Sequence, residues 1–324
     1  MHRFSLFFLA LVLALGGGCA NTLIIKTIES EQEGVELMST PFFPQEKYQC
    51  GPASLAMLLG SSGIAVHPDE ISPITYIPEK QGSLQMEMIS ACRKYGRIPY
   101  QINPDLTDLI SQIRSGRPVL VLQNQGFKFF PVYHYAVVIG VLPDNKIVLR
   151  SGGKKRLEMN IAQFYLTWER GGSWGLIALR PGELPQNPDP LRYLNAVNAF
   201  ETNENALQAA EAYESALDIW PDNQVALFAL ANNCLMRKNM INAMALYRKL
   251  LFVNPDHVAA ANNLSEALAM EGYYIEAFAV IQKAVMTAER LESPLLKSVK
   301  QTWQEIKAAL QENGMGEPDN PASK

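Results

Sequence analysis

Histidine is scarce in this chain, with four in 324 residues, and cysteine is equally rare. Chemistry that needs an imidazole or a thiolate is therefore confined to a few positions. Cys50 has no second histidine near it, and Cys92 and Cys234 have no ligand-type neighbours at zinc spacing, so no metal site is expected. A phosphate-binding glycine loop is also missing, and no cofactor is expected. Basic excess is absent: 28 Lys and Arg stand against 32 Asp and Glu, a net charge of −4. That leaves no field for neutralising phosphates and argues against nucleic acid as a partner. The apolar run Leu6 to Leu15 has ten residues, against about 20 for a membrane-spanning helix. With 48% hydrophobic and 19% charged residues, the chain can bury a core in each of two domains.

The first residues read as a targeting signal, with Arg3 before the apolar run and Gly16-Gly17-Gly18-Cys19 after it. Small residues directly before a cysteine resemble the lipobox of bacterial lipoproteins, which implies a signal over 1–19 and lipid on Cys19. Leu15 sits one place further from the cysteine than that pattern has it, and the alternative is a plain secretory signal cleaved near Ala20. Ala20 in place of Asp resembles lipoproteins sent to an outer membrane, if the source is Gram-negative. The expected location is the cell envelope, with a lipid anchor to the membrane and a tether over 20–40. With Cys19 consumed, Cys50, Cys92 and Cys234 remain, an odd number that leaves at least one thiol unpaired in an oxidising compartment.

From 41 to 181 the pattern predicts an α+β domain. Cys50-Gly51-Pro52 opens an apolar run, Ala53 to Leu59, with Pro52 suited to a first helical turn. Leu106, Leu109, Ile110 and Ile113 mark a second helix ended by Gly116. Short β-rich runs follow at 119–122, 135–141, 147–150, 157–159 and 174–179, with a helix over 161–168, predicting a meandering antiparallel sheet. A proline-rich linker is expected at 182–190, an all-α region over 191–312 and a disordered tail over 313–324. In that region Trp220-Pro221-Asp222 and Asn254-Pro255-Asp256 lie 34 residues apart. At the same offset Ala226 matches Ala260, Leu230 matches Leu264, Tyr213 matches Tyr247, and Ala243 matches Ala209 and Ala277. This period resembles the tetratricopeptide repeat, closed by a capping helix over 295–310. Asn232, Asn233, Asn262 and Asn263 are either groove ligands for a peptide or plain solvated positions.

A helix N-terminus helps a thiol ionise, and Cys50 has that placement. It needs a base. His2 leaves with the signal, His67 precedes a proline, and His257 starts a repeat helix, so elimination favours His134, although a lone histidine before an apolar strand is more often structural. The oxyanion of acyl transfer needs a donor besides the nucleophile's own N–H; Gln45 can supply an amide, and Gln49 is the rival.

Gln45-x4-Cys50-Gly51-Pro52-Ala53-Ser54-Leu55, followed by Tyr133-His134-Tyr135-Ala136-Val137-Val138-Ile139-Gly140, resembles the bacteriocin-processing, double-glycine leader peptidase family of cysteine peptidases. The resemblance implies a papain-like fold, with Gln45 for the oxyanion, Cys50 as nucleophile and His134 as base. It also resembles the stand-alone members that carry a lipoprotein signal and tetratricopeptide repeats. The family's orienting Asp falls where this chain reads Val148-Leu149-Arg150-Ser151-Gly152-Gly153. Asp144 lies at the hairpin tip, about ten residues from His134, or roughly 30 Å along a strand. Reflecting His134 through that tip lands near Lys154, which makes Ser151 the close candidate to face the imidazole. The leading reading is a thiol-dependent peptide-bond hydrolase whose repeats present a peptide or protein substrate or partner. The alternatives are an inactive peptidase-like scaffold and acyl transfer to an amine.

Overall fold

The computed structural model describes residues 34–45 and 49–316. The predicted signal, Cys19, most of the predicted tether and residues 317–324 of the predicted tail lie outside the described residues. The chain divides into two compact units, one reaching to Arg180 with Pro185–Arg192, the other Pro181–Leu184 with Tyr193 onward.

The first unit is built on an antiparallel sheet. Its strands are β1 (Val35–Glu36), β2 (Ile98–Gln101), β3 (Val119–Asn124), β4 (Tyr133–Leu142), β5 (Lys146–Ser151), β6 (Lys154–Asn160) and β7 (Gly175–Leu179), in the order β2-β7-β3-β4-β5-β6 with β1 on β4. The last strand lies between β2 and β3, so only β3 to β6 form the expected meander. The helix α1 (Cys50–Ser61) is buried from Gly51 to Leu59 and, apart from Ser54, carries no polar side chain over that span, as suits a central helix. Its residues Leu55, Leu58 and Leu59 pack in one core with Leu120, Tyr135 and Leu176 of the sheet and with Trp174 just before β7.

Two further helices, α2 (Pro68–Thr75) and α3 (Gln85–Lys94), lack a strong apolar period and were not expected. His67 caps α2: its side chain accepts from Asp69 N, while Glu70 accepts from His67 N. Then α4 (Leu106–Arg114) ends as expected, with Gly116 at φ +85°, and α5 (Ile161–Arg170) follows β6. Of residues 34–40, expected within the tether, Val35 and Glu36 instead form a strand of the sheet. Val35 and Glu36 pair with Val141 and Gly140, and Leu37 N donates to Ile139 O. Part of the proline-rich stretch expected as a linker over 182–190 is also held: Gln112 exchanges hydrogen bonds with the backbone of Gln186, and Asp189 N donates to the Tyr100 hydroxyl.

The helix α6 (Pro190–Phe200) belongs to the second unit from Tyr193 onward, and that unit also contains α7 (Ala206–Ile219), α8 (Gln224–Met236), α9 (Met240–Val253), α10 (Val258–Met270), α11 (Tyr274–Arg290) and α12 (Leu296–Glu312). The 34-residue offset has a physical cause. Ala209, Ala243 and Ala277 are fully buried, as are Ala226 and Ala260, so small side chains recur where neighbouring helices approach. Asn223 and His257, at the same offset, each cap the helix that follows. Replacing Ala243 by Leu is expected to destabilise this unit by about 1–3 kcal/mol through overpacking. Chemical denaturation of the full chain, followed by far-UV circular dichroism, checks this as an earlier loss of helical signal.

Candidate active site

Cys50 is the first residue of α1, and no side chain caps that end. The partial positive charge of the helix therefore meets the thiol and the backbone N–H groups beside it. Cys50 is half-buried and free, whereas Cys92 and Cys234 are free and buried, with no disulfide among the described residues. Burial pushes the Cys92 thiol to about 12 and raises that of Cys234, which removes both as nucleophiles near neutrality. Cys50 packs against the core that includes Tyr135. The Tyr135 phenol is raised well above its usual value, by burial first and then by the nearby Cys50 and Glu87.

Gly51 has a packing reason. A Cβ there would lie 2.4 Å from Ser83 Oγ and 2.7 Å from Ser83 Cβ. Only glycine lets α1 begin against this segment.

His134 is the second residue of β4, paired with Gln123 of β3. Its Nε2 lies 2.9 Å from the hydroxyl of Ser151 at the end of β5. Burial lowers the imidazole below its ordinary value, which favours the neutral ring. Ser151 accepts from Nε2–H in one tautomer, and this leaves Nδ1 able to take a proton; in the other tautomer it donates. The hairpin tip does not enter: Asp144 lies at the far end of β4 and β5, where Leu142 pairs with Lys146.

Gln45 is tied on every side. Its backbone N–H donates to Gly152 O at 3.1 Å, and its Oε1 accepts from Gly152 N at 2.9 Å. The backbone N–H can only donate, so this bond fixes which amide atom is oxygen. Nε2 then donates to Ser54 Oγ at 3.0 Å and to Tyr135 O at 3.4 Å. Ser54 is fully buried on α1, one helical turn beyond Cys50 and on the same face. Gln45 therefore joins the nucleophile helix, the histidine strand and the turn that carries Ser151.

Ser54, Ser83 and Gly152 were not singled out from sequence. The i, i+4 spacing of Cys50 and Ser54 was the one legible signal among them. Arg150 is a further support: fully buried, it donates to Lys155 O, to Thr40 O at 3.1 Å and to Met38 O at 3.3 Å. It thereby holds the segment leading to Gln45 against β5 and β6. Gln49 supplies backbone to the start of α1, with Ala53 N donating to its carbonyl. No group of three or more metal-ligating side chains occurs among the described residues.

In the second unit Asn232, Asn233 and Asn263 are already engaged within the protein, whereas Asn262 keeps a buried side-chain oxygen without a hydrogen-bond partner. Asn233 is buried and donates to Ala206 O and Glu201. Asn232 accepts from the Tyr247 hydroxyl at 2.6 Å and from Asn263 at 3.0 Å, while Asn262 donates to Glu266.

Residues 37–174 match the model described as Peptidase_C39 like family, so this segment is a Peptidase_C39-like domain. No curated protein matches the chain. Among solved structures, the peptidase domain of Streptococcus ComA, a bi-functional ABC transporter involved in quorum sensing, is similar at 22% identity. The alignment covers 43% of this chain and 98% of that one, with a TM-score of 0.37. A double glycine motif protease from an AMS/PCAT transporter, in complex with the leader peptide, is similar at 19% identity, over 43% of this chain and 89% of that one, TM-score 0.33. The Sgt2 TPR domain from Aspergillus fumigatus is similar at 20% identity, over 44% of this chain and 91% of that one, TM-score 0.36. The chain is thus an α+β Peptidase_C39-like domain followed by tetratricopeptide-type helices.

Gly51→Ala is expected to cost about 1–3 kcal/mol by overpacking against Ser83 and to slow alkylation of Cys50. The pair Gly51→Ala with Ser83→Gly is expected to recover most of both. Denaturation midpoints and iodoacetamide labelling rates read the two effects, and a pair no better than the single variant would count against this contact.

Proposed function

We propose that the first unit is a thiol-dependent peptide-bond hydrolase, with Cys50 as nucleophile, His134 as general base, Ser151 as the group that orients the imidazole and Gln45 as an oxyanion donor. The observation that carries the reading is the 2.9 Å contact between His134 Nε2 and Ser151 Oγ. With Nε2–H donated to Ser151, Nδ1 takes the thiol proton as sulfur attacks the scissile carbonyl. The same proton then passes to the leaving amine. The oxyanion forms near the Cys50 N–H, and Gln45 joins it by exchanging its long bond to Tyr135 O. Water releases the acyl group and restores the thiol; an amine in its place makes the reaction a transfer. The chain is read as anchored in the cell envelope through lipid on Cys19, with the repeats holding a protein substrate or partner.

Two observations favour the scaffold alternative. A hydroxyl stands where a carboxylate would stabilise imidazolium, and both amide hydrogens of Gln45 already have protein acceptors. The scaffold reading predicts that Cys50→Ala leaves the cellular role intact.

The pH dependence separates these ideas. A base whose value is lowered by burial keeps its neutral form below the ordinary histidine value of about 6.5. The acid limb of kcat/KM, or of Cys50 alkylation, is therefore expected below that pH. Ser151→Asp adds a carboxylate beside Nε2, raising the imidazole and moving the limb upward; Ser151→Ala lowers the rate by roughly 10-fold or more as the tautomer loses its partner. Cys50→Ala abolishes hydrolysis and labelling at this site. A wild-type acid limb above pH of about 6.5 would mean that the imidazole is not lowered and would sink this assignment of the base; loss of alkylation at high pH, as an imidazolium deprotonates, would instead mark a preformed imidazolium–thiolate pair.

A further inference from the structure

Between β3 and β4 the chain leaves the sheet as an eight-residue finger, Gln-Gly-Phe-Lys-Phe-Phe-Pro-Val, over 125–132. Its phenylalanines face water: Phe127 is 74% exposed, Phe129 85% and Phe130 79%, and Val132 and Tyr133 are exposed beside them. So many apolar side chains at one tip are costly in water and mark a contact surface.

The finger's backbone is not that of a loose loop. Phe127 and Phe130 exchange N–H to carbonyl bonds at 3.1 and 3.2 Å, and Gln125 N donates to Val132 O at 2.9 Å. The buried Asn124 side chain accepts from both Gly126 N and Val132 N at 3.0 Å, and Arg170 donates to Gly126 O at 2.8 Å. Pro131 has no N–H to satisfy. A segment that enters the hydrocarbon of a bilayer must satisfy its backbone polar groups within the protein, and five of the finger's seven N–H groups are so bonded, which limits the cost of a shallow insertion.

We propose that this finger inserts its phenylalanines into a lipid surface. Three observations select lipid over another occupant. The phenylalanines stand on a tight turn, a convex tip that meets a soft surface more readily than a groove. Lys128 lies within the finger, and the exposed Lys154 and Lys155 begin β6 at the same end of the sheet, where β4 starts and β5 ends. Aromatic rings flanked by lysines suit the headgroup boundary of an anionic bilayer. Finally, Gly34 lies fifteen positions after Cys19, so a lipid on Cys19 would hold this unit within about 50 Å of a membrane. The inference rests on the anchoring reading only for how the membrane is reached. Tyr133 joins the finger directly to His134, so insertion brings the candidate site to the lipid surface and favours substrates presented there.

The test places a reporter on the tip. The full chain carrying Cys19→Ser and Phe129→Trp is mixed with vesicles of phosphatidylethanolamine and phosphatidylglycerol, and the parent chain, with its own four tryptophans, is subtracted. Insertion is expected to shift the added emission to the blue and to let brominated acyl chains quench it. In the same background, Phe127→Ser with Phe129→Ser and Phe130→Ser is expected to weaken vesicle partition about tenfold per buried ring, with Cys50 alkylation unchanged. Emission indifferent to vesicles, partition indifferent to the three serines, or a vesicle-independent dimer that the serines abolish would each overturn the proposal. Mass analysis of the mature N-terminal peptide reports lipid on Cys19 separately, so failure of anchoring and failure of insertion are distinguished.

Discussion

The geometry of the candidate site depends on one amide. Gln45 receives Gly152 N–H on its oxygen and gives its two hydrogens to Ser54 and Tyr135. Those partners lie on α1, on β4 and just after β5, and these elements carry Cys50, His134 and Ser151. The Ser54 hydroxyl is fully buried, and stripping such a group of its partner costs about 1–3 kcal/mol. This cost couples the elements: the helix start cannot drift from the strand without breaking a bond that water is not placed to replace. Arg150 reinforces the arrangement by binding the carbonyls of Met38 and Thr40, a few residues before Gln45.

That same tie shapes the chemistry. Gln45 is both a structural bridge and the proposed oxyanion donor, and these roles compete for its hydrogens. The bond to Tyr135 O, at 3.4 Å, is the weaker and the one substrate can displace. Ser151 in turn gives His134 orientation without charge. A half-buried imidazole with a hydroxyl behind it stays neutral more readily than one backed by a carboxylate, so the arrangement suits a base that acts as the thiol attacks rather than a standing ion pair.

The two units differ in how far local rules reach. The repeats were legible because each alanine packs against helices nearby in sequence, so the 34-residue period is written directly into composition. Helices α1 and α4 and strands β3 to β6 were also legible, since their apolar periods and glycine ends are local. In contrast, α2, α3 and β2 were missed: they are short and proline-adjacent or polar, and their stability comes from the core they pack on. The groove asparagines illustrate the same limit. Asn232 and Asn233 look equivalent in sequence, yet one bonds Tyr247 across a repeat and the other is buried against Ala206 O.

What the sequence determined by itself was the division into a sheet-bearing and a helical part, the Gln45, Cys50 and His134 set, and the lack of an acid at the usual orienting position. The first two follow from residue types and spacings, and the third from the resemblance those residues carry. Tertiary structure alone decided that β7 lies between β2 and β3, that Gly51 is held to glycine by Ser83, and that Gln45 binds three elements at once. It also decided that Ser151, named from sequence as the close candidate, meets the imidazole. Each of these depends on which distant segments meet, and only burial of the shared core selects those meetings.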